Sequence, residues 1–395
     1  MRQCPLTTVQ SSVAWPEPPK SKAILAVVFF WNLSALIRVC LSIDLKFRKV
    51  ASKRKNYMAT QNHLSHCSCL HPTDRRQFLK TSTLATAGAA ILPGGIVSQS
   101  FAASKPKQSQ AETLVKTLYN SLSETQRSNV CFDFDHRLRH EIDNNWFIVN
   151  DHRVRSYTRE QQAMIREIFM KMHSEEYADQ VMKQVLEDSG RGGFGECSIA
   201  LFGKPDTGKF QFVLTGRHTT RRCDGDSVEG TAFGGPIFYG HAAQSFNEKP
   251  HHPDNVYWFQ AKRANEVFQM MDGKQRKQAL MVRSRDEQGK KTIALTGENE
   301  GLDGVRMSEL TSDQKDEVRN VLNDLLLPFR EGDRRESLKL IEKSGFDNLH
   351  LAFYKGEDVG DDGVWDVFQI EGPNMIWYFR GDPHVHTWVH IKDHV

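Results

Sequence analysis

Residues 349–391 read LHLAFYKGEDVGDDGVWDVFQIEGPNMIWYFRGDPHVHTWVHI, and this stretch decides the fold. Short runs rich in β-branched and aromatic residues are divided by Gly, Asp, Pro and Asn. The spacing predicts four strands, at Leu349–Tyr354, Val364–Ile370, Met375–Phe379 and His384–Ile391, with the EGPN at 371–374 as one of the turns. In the last strand the two-residue period puts His384, His386, Trp388 and His390 on one face and Val385, Thr387 and Val389 on the other.

Upstream the period changes to that of helices. Hydroxyl residues three positions ahead of a Gln, Ser123 with Gln126, Thr158 with Gln161 and Thr311 with Gln314, mark helix starts, and Ser109 with Glu112 forms a similar pair. Between Tyr157 and Ser189 the apolar positions Met164, Ile165, Ile168, Phe169 and Met172, then Val181, Met182, Val185 and Leu186, predict a helical pair. A helix follows Ala261, and another covers Asp313–Leu327. The next helix stops at Ser344-Gly345. Ser198–Phe202 and Lys209–Thr215 form a hairpin across a Gly-, Pro- and Asp-containing turn, and Lys291–Leu295 reads as a further strand. Helices, strands, helices and strands in this order lack strict βαβ alternation. The expected fold is α+β: one domain of helices packed on a mainly antiparallel sheet, ending in a β-meander.

The chain has 395 residues, 39% of them hydrophobic and 26% charged, enough for a sizeable core and unlike disordered or collagenous sequences. Its formal charge of +3 is unevenly spread. Residues 1–102 hold 13 of the 52 Lys+Arg and 3 of the 49 Asp+Glu, so residues 103–395 carry 39 basic against 46 acidic groups. A folded part with a net charge of −7 has no general attraction for polyphosphate, so nucleic acid is not an expected partner.

From Asp74 the sequence runs DRRQFLKTSTLATAGAAILPGG and continues to Ser100-Phe101-Ala102. Paired arginines, Phe-Leu-Lys, a modest apolar run and small residues at a cleavage position form a twin-arginine export signal over 58–102. The expected partner is the twin-arginine translocase and the expected location the periplasm or beyond. Met58 is a natural start, which makes 1–57 a gene-model extension. The apolar stretch Ala23–Ile37 is shorter than the roughly 20 residues a membrane helix needs, and no stable span is expected in the mature chain, 103–395. That chain holds three cysteines, Cys131, Cys197 and Cys223, of which Cys197 and Cys223 are spaced to allow pairing.

Chemistry concentrates at the His-x-His of His384 and His386. Two imidazoles at i and i+2 of a strand can reach one ion, and neutral imidazole suits zinc, copper or iron. His218, at the end of the Lys209–Thr215 strand, is the candidate third ligand, with His241 and His390 as further possibilities. His251 and His252 lie in a Pro- and Asn-rich loop and read as solvated. Ligands about 2.0–2.1 Å from one ion need nitrogens roughly 3 to 4 Å apart, and separations beyond about 8 Å would remove this site. Arg217 is the candidate for holding an anionic substrate group. Gly190–Gly195 and Gly203–Lys209 lack the features of a phosphate-binding loop. Asp133 and Asp135 read as a solvated strand edge.

The segments SLSETQRSNVCFDFDHRLRHEIDNNWF, IALFGKPDTGKFQFVLTGRHTT, GGPIFYG, GKQRKQAL, EGPNMIWYF and PHVHTWVH together resemble the family known as domain of unknown function 3500. The resemblance spans nearly all of the mature chain. It implies Gly-His-His where this chain has Gly216-Arg217-His218, so His218 alone carries over. Where the family's His-x-His leads into Arg-Asp-Pro, this chain continues Trp388-Val389-His390. The family name implies no activity. Two functions therefore stand open: a metal-dependent enzyme acting on a small molecule, and a non-catalytic periplasmic binding or interaction protein presenting Trp365, Trp377, Tyr378 and Trp388.

Overall fold

A computed structural model describes residues 110–395 apart from 206–207, 243–255, 356–357 and 359–362. The export signal at 58–102 and the extension at 1–57 lie outside the described residues. The helices are α1 (Gln110–Ser121), α2 (Glu124–Val130), α3 (Arg159–Lys171), α4 (Ala178–Asp188), α5 (Trp258–Met270), α6 (Gly273–Ala279), α7 (Ser312–Leu326) and α8 (Glu331–Ser344). The strands are β1 (Cys131–Phe132), β2 (Ser198–Gly203), β3 (Phe210–Gly216), β4 (Thr219–Cys223), β5 (Ile237–His241), β6 (Leu280–Met281), β7 (Val305–Arg306), β8 (His350–Tyr354), β9 (Val367–Gly372), β10 (Met375–Arg380) and β11 (Val385–Ile391). They build one α+β unit on a single sheet of order β1-β2-β3-β4-β5-β11-β10-β9-β8-β6, with β7 added on β8. Pairing is antiparallel except for β1 with β2 and β6 with β8. Among the described residues no helix is long and apolar enough to cross a membrane.

Local signals set the helix ends. Ser123, Thr158 and Thr311 each accept from the backbone three residues on while Gln126, Gln161 and Gln314 reach back, and Asp272 with Gln275 makes a fourth reciprocal cap. Gly345 closes α8. The meander β8-β9-β10-β11 turns as its sequence requires, with Gly372 opposite Met375 around Pro373-Asn374.

The two faces of the sheet are covered differently. Leu201, Leu214, Tyr239, Val385, Val389, Ile370 and Trp377 pack with helix residues such as Ile165, Phe169, Val181, Ala264 and Val318 in the main core. The opposite face carries Phe238, Tyr378 and Trp388, covered by Ile142, Ile293 and Leu295 from non-strand segments. Burying aromatic side chains of this size dominates the stabilisation of each layer.

Three expectations need correcting. Lys291–Leu295 is not a strand: the backbone closes on itself through Lys291 to Gln288, Thr292 to Gly289 and Ala294 to Lys291, and its apolar side chains cap the second core from a turn. Cys197 and Cys223 do not pair; both are buried free thiols. Cys197 packs at Gly216, while Cys223 stands opposite Phe212, four residues further down β3, or about 13 Å. The aromatic binding surface fails as well, because Trp377, Tyr378 and Trp388 are fully buried and Trp365 is half-buried against the main core. The meander is otherwise in place, although its second strand begins at Val367 rather than Val364 and its last at Val385 rather than His384.

Candidate metal centre

At one end of the sheet β3, β5 and β10 finish and β11 begins. His218 occupies the two-residue turn between β3 and β4, where Gly216 pairs with Thr219. Its φ of 54° is left-handed, a conformation in which His is enriched among non-glycine residues. The turn is held on both sides: the His218 N–H donates to the Asn144 carbonyl and the His218 carbonyl accepts from Gly240. Gly240 has no room for a side chain, since a Cβ there would lie 2.1 Å from the Val385 carbonyl oxygen. That close approach of β5 to β11 brings the His218 turn up to His386, the register partner of Gly240.

The three histidines converge through one kind of atom. His384 Nε2 lies 3.1 Å from His218 Nε2 and 2.9 Å from His386 Nε2. One nitrogen from each ring falls within 4.8 Å of the others, and all three residues are buried. These spacings suit nitrogens sharing a single ion. The group can therefore hold a metal ion.

Carboxylates fix the outward sides of two rings. His218 Nδ1 donates to Asp188 Oδ2 at 3.0 Å, and His386 Nδ1 donates to Glu287 Oε2 at 2.6 Å. Burial pushes the Asp188 carboxyl up, but hydrogen bonds from His218 and His241 outweigh it and bring it down to about 2. Burial likewise opposes ionisation of Glu287, and the His386 hydrogen bond, helped by Arg380, leaves it below its ordinary value. An ionised carboxylate only accepts, so Nδ1 of each ring carries a proton, which leaves Nε2 as the atom whose lone pair can face inward to an ion. This carboxylate–histidine arrangement is the usual support of metal-bound imidazole. Desolvation also lowers the His386 imidazole to about 4, leaving it neutral and ligand-competent at neutral pH.

The structure brings together His218, His384 and His386 and leaves His241 and His390 apart. His241 is the register partner of Val385, on the helix-covered face; it turns its Nδ1 to Asp188 at 3.3 Å. His390 shares the face of His386 but stands four residues away, roughly 13 Å, with Nδ1 3.1 Å from the Ile293 carbonyl oxygen. Arg217 adjoins His218 in the turn, half-buried and bridged by its backbone to Asn145. Asp133 and Asp135 are exposed and take no part. His251 and His252 lie outside the described residues.

Glu287 and Arg380 carry no signal in the sequence pattern, and Asp188 carries little. Asp188 is the last residue of α4, where a carboxylate faces the negative end of the helix; the Ala242 N–H at 3.2 Å and the two histidines compensate. Glu287 sits in the segment between β6 and the 289–291 turn, 3.1 Å from Arg380 Nε. An acidic residue closing a helix just before a Ser-Gly stop was the one available hint for Asp188.

Residues 104–394 match the model of a protein family of unknown function, DUF3500, and the chain belongs to that family. No curated protein and no solved structure matches it.

Proposed function

We propose that this chain is an exported metal-dependent enzyme in which His218, His384 and His386 hold a single zinc, copper or iron ion. The observation that carries the reading is the inward convergence of three Nε2 atoms, two of them set by ionised carboxylates behind the rings. Three protein ligands leave a coordination position for water or substrate, and the ion there would activate water or, if copper or iron, support redox chemistry. The chain's own residues do the preparatory work. Asp188 and Glu287 orient the rings and hold their Nδ1 protons, and the Ile142 and Ile293 side chains help to cover the face on which His386 lies. Arg217, next to His218 in the chain, is the residue assigned in this reading to hold an anionic group of a small-molecule substrate.

The twin-arginine sequence at Arg75-Arg76 supports passage to the periplasm in a folded state through the translocase, a route that suits a protein loaded with its ion beforehand. The test is elemental analysis of the protein expressed with its own signal and recovered from the periplasm without chelator, beside a His384→Ala/His386→Ala variant. About one equivalent of one transition metal in the wild type, lost in the variant, is expected. Metal-free wild-type protein overturns the proposal.

A further inference from the structure

Arg380 stands directly opposite His386 in the β10–β11 ladder, so the two side chains leave the sheet on the same face. Glu287 ties them together: Oε1 lies 3.1 Å from Arg380 Nε, and Oε2 accepts from His386 Nδ1 at 2.6 Å. This contact is an ion pair without a hydrogen bond: Glu287 Oε1, Arg380 Nε and Arg380 Nη2 are all closed off from solvent with no hydrogen-bond partner, so the Nε–Nη2 edge of the guanidinium is unmet.

Another arginine of the sheet is treated differently. Arg222, buried in β4, gives its donors to the carbonyl oxygens of Pro236, Arg139 and Glu141 and to the Gln211 side chain. The fold is thus able to satisfy a guanidinium fully, and beside the histidines, where the Arg380 side chain is only 21% exposed, it leaves Nε and Nη2 without an acceptor. A charged donor withheld from water is costly unless an acceptor meets it, and such a donor beside a candidate ion site is placed for a ligand oxygen.

Charge points the same way. With a divalent ion bound, the ion and Arg380 outweigh Asp188 and Glu287 by one positive charge, and Arg217 adjoins the same turn. A neutral or cationic substrate would leave that excess unanswered; an oxyanion would answer it. The planar guanidinium fork matches carboxylate and phosphate oxygens.

We propose that Arg380 is an anion-binding residue of the site in addition to Arg217, and that the substrate is a small molecule bearing a carboxylate or phosphate group whose oxygen pairs with Arg380 Nη2. The inference rests on the metal-centre reading. Its test uses the full mature protein loaded with Co²⁺, followed by visible absorption during titration with acetate and, separately, inorganic phosphate. The wild type is expected to take up one equivalent of Co²⁺ and to show a spectral change with one of the two anions, which identifies the group. R380Q is expected to keep its Co²⁺ while the anion midpoint rises by about tenfold or more, and R380K to recover part of the loss. An unchanged midpoint in a Co²⁺-loaded R380Q, or a wild-type spectrum indifferent to both anions, overturns the inference and leaves the metal centre standing. Should R380Q lose Co²⁺, R380K decides by the same midpoint, because it keeps a charge beside Glu287 without the guanidinium fork. Failure of the wild type to bind Co²⁺ overturns both.

Discussion

Two regions of this protein bury carboxylates, with opposite results. Beside the histidines, Asp188 accepts from two imidazoles and one backbone N–H and is held down at about 2. Across the molecule, Glu112, Asp333 and Arg330 form buried ion pairs at 3.3 and 2.9 Å, with Asp224 and Glu336 among their neighbours. There burial wins: the Asp224 and Asp333 carboxyls are pushed up to about 6, and Glu336, burdened also by Asp224 and Asp333, to about 7. The difference is the supply of donors. One arginine shared among several acids cannot offset their desolvation, whereas each carboxylate at the histidines is matched by donors of its own. Only the second kind of arrangement keeps a full negative charge behind an imidazole, which is what a metal ligand needs.

The comparison breaks most visibly if the histidines are removed. His384→Ala/His386→Ala should lower metal content from about one equivalent to background while the helices and sheet stay formed, because the site lies at the end of the sheet and meets the second core through the His386–Phe238 ring contact alone among the aromatic pairs of the described residues; elemental analysis with circular dichroism checks this. Arg330→Met should be the costliest change in the acidic region. It leaves Glu112 and Asp333 buried without their cation, at about 3–5 kcal/mol in denaturant melts at pH 8, and less at pH 5, where Asp333 can take up a proton. Asp188→Asn and Glu287→Gln should each weaken metal binding by about 10- to 100-fold in competition titrations without abolishing it, since they disturb the ring proton and orientation and leave the three nitrogens in place.

A subtler effect concerns pH. Acids whose folded values lie above their ordinary ones bind more protons in the native state than in the unfolded chain, so stability is greatest below about pH 4 for these groups and is lost as the pH rises towards about 7. Glu336→Gln should flatten that part of the stability profile, measured by urea midpoints between pH 4 and pH 8. An unaltered slope would place the cost elsewhere.

Much of the fold is written locally. A hydroxyl three residues before a Gln is satisfied within one helical turn, so Ser123, Thr158 and Thr311 announce their helices without help from distant residues. The period of two along β11 is equally self-contained, and extended one residue ahead of the strand it correctly groups His384 with His386. Lys291–Leu295 misleads because apolar side chains can cover a sheet face from a turn as well as from a strand, and the pattern of burial is alike in both. The supporting carboxylates are legible only in three dimensions: Asp188 stands 30 residues from His218 and Glu287 stands 99 from His386, with no periodicity linking them. His241 shows the converse. Its sequence position next to Gly240 suggests a ligand, but one step along β5 puts it on the opposite face from His386.

The most direct measurement is an anomalous-difference map from crystals of the protein recovered with its metal, collected at that metal's absorption edge. A single peak about 2.0–2.1 Å from the Nε2 atoms of His218, His384 and His386, with Asp188 and Glu287 behind two of the rings, is the expected result. A peak ligated by other residues, or none near these three nitrogens, would contradict the assignment of a three-histidine metal centre.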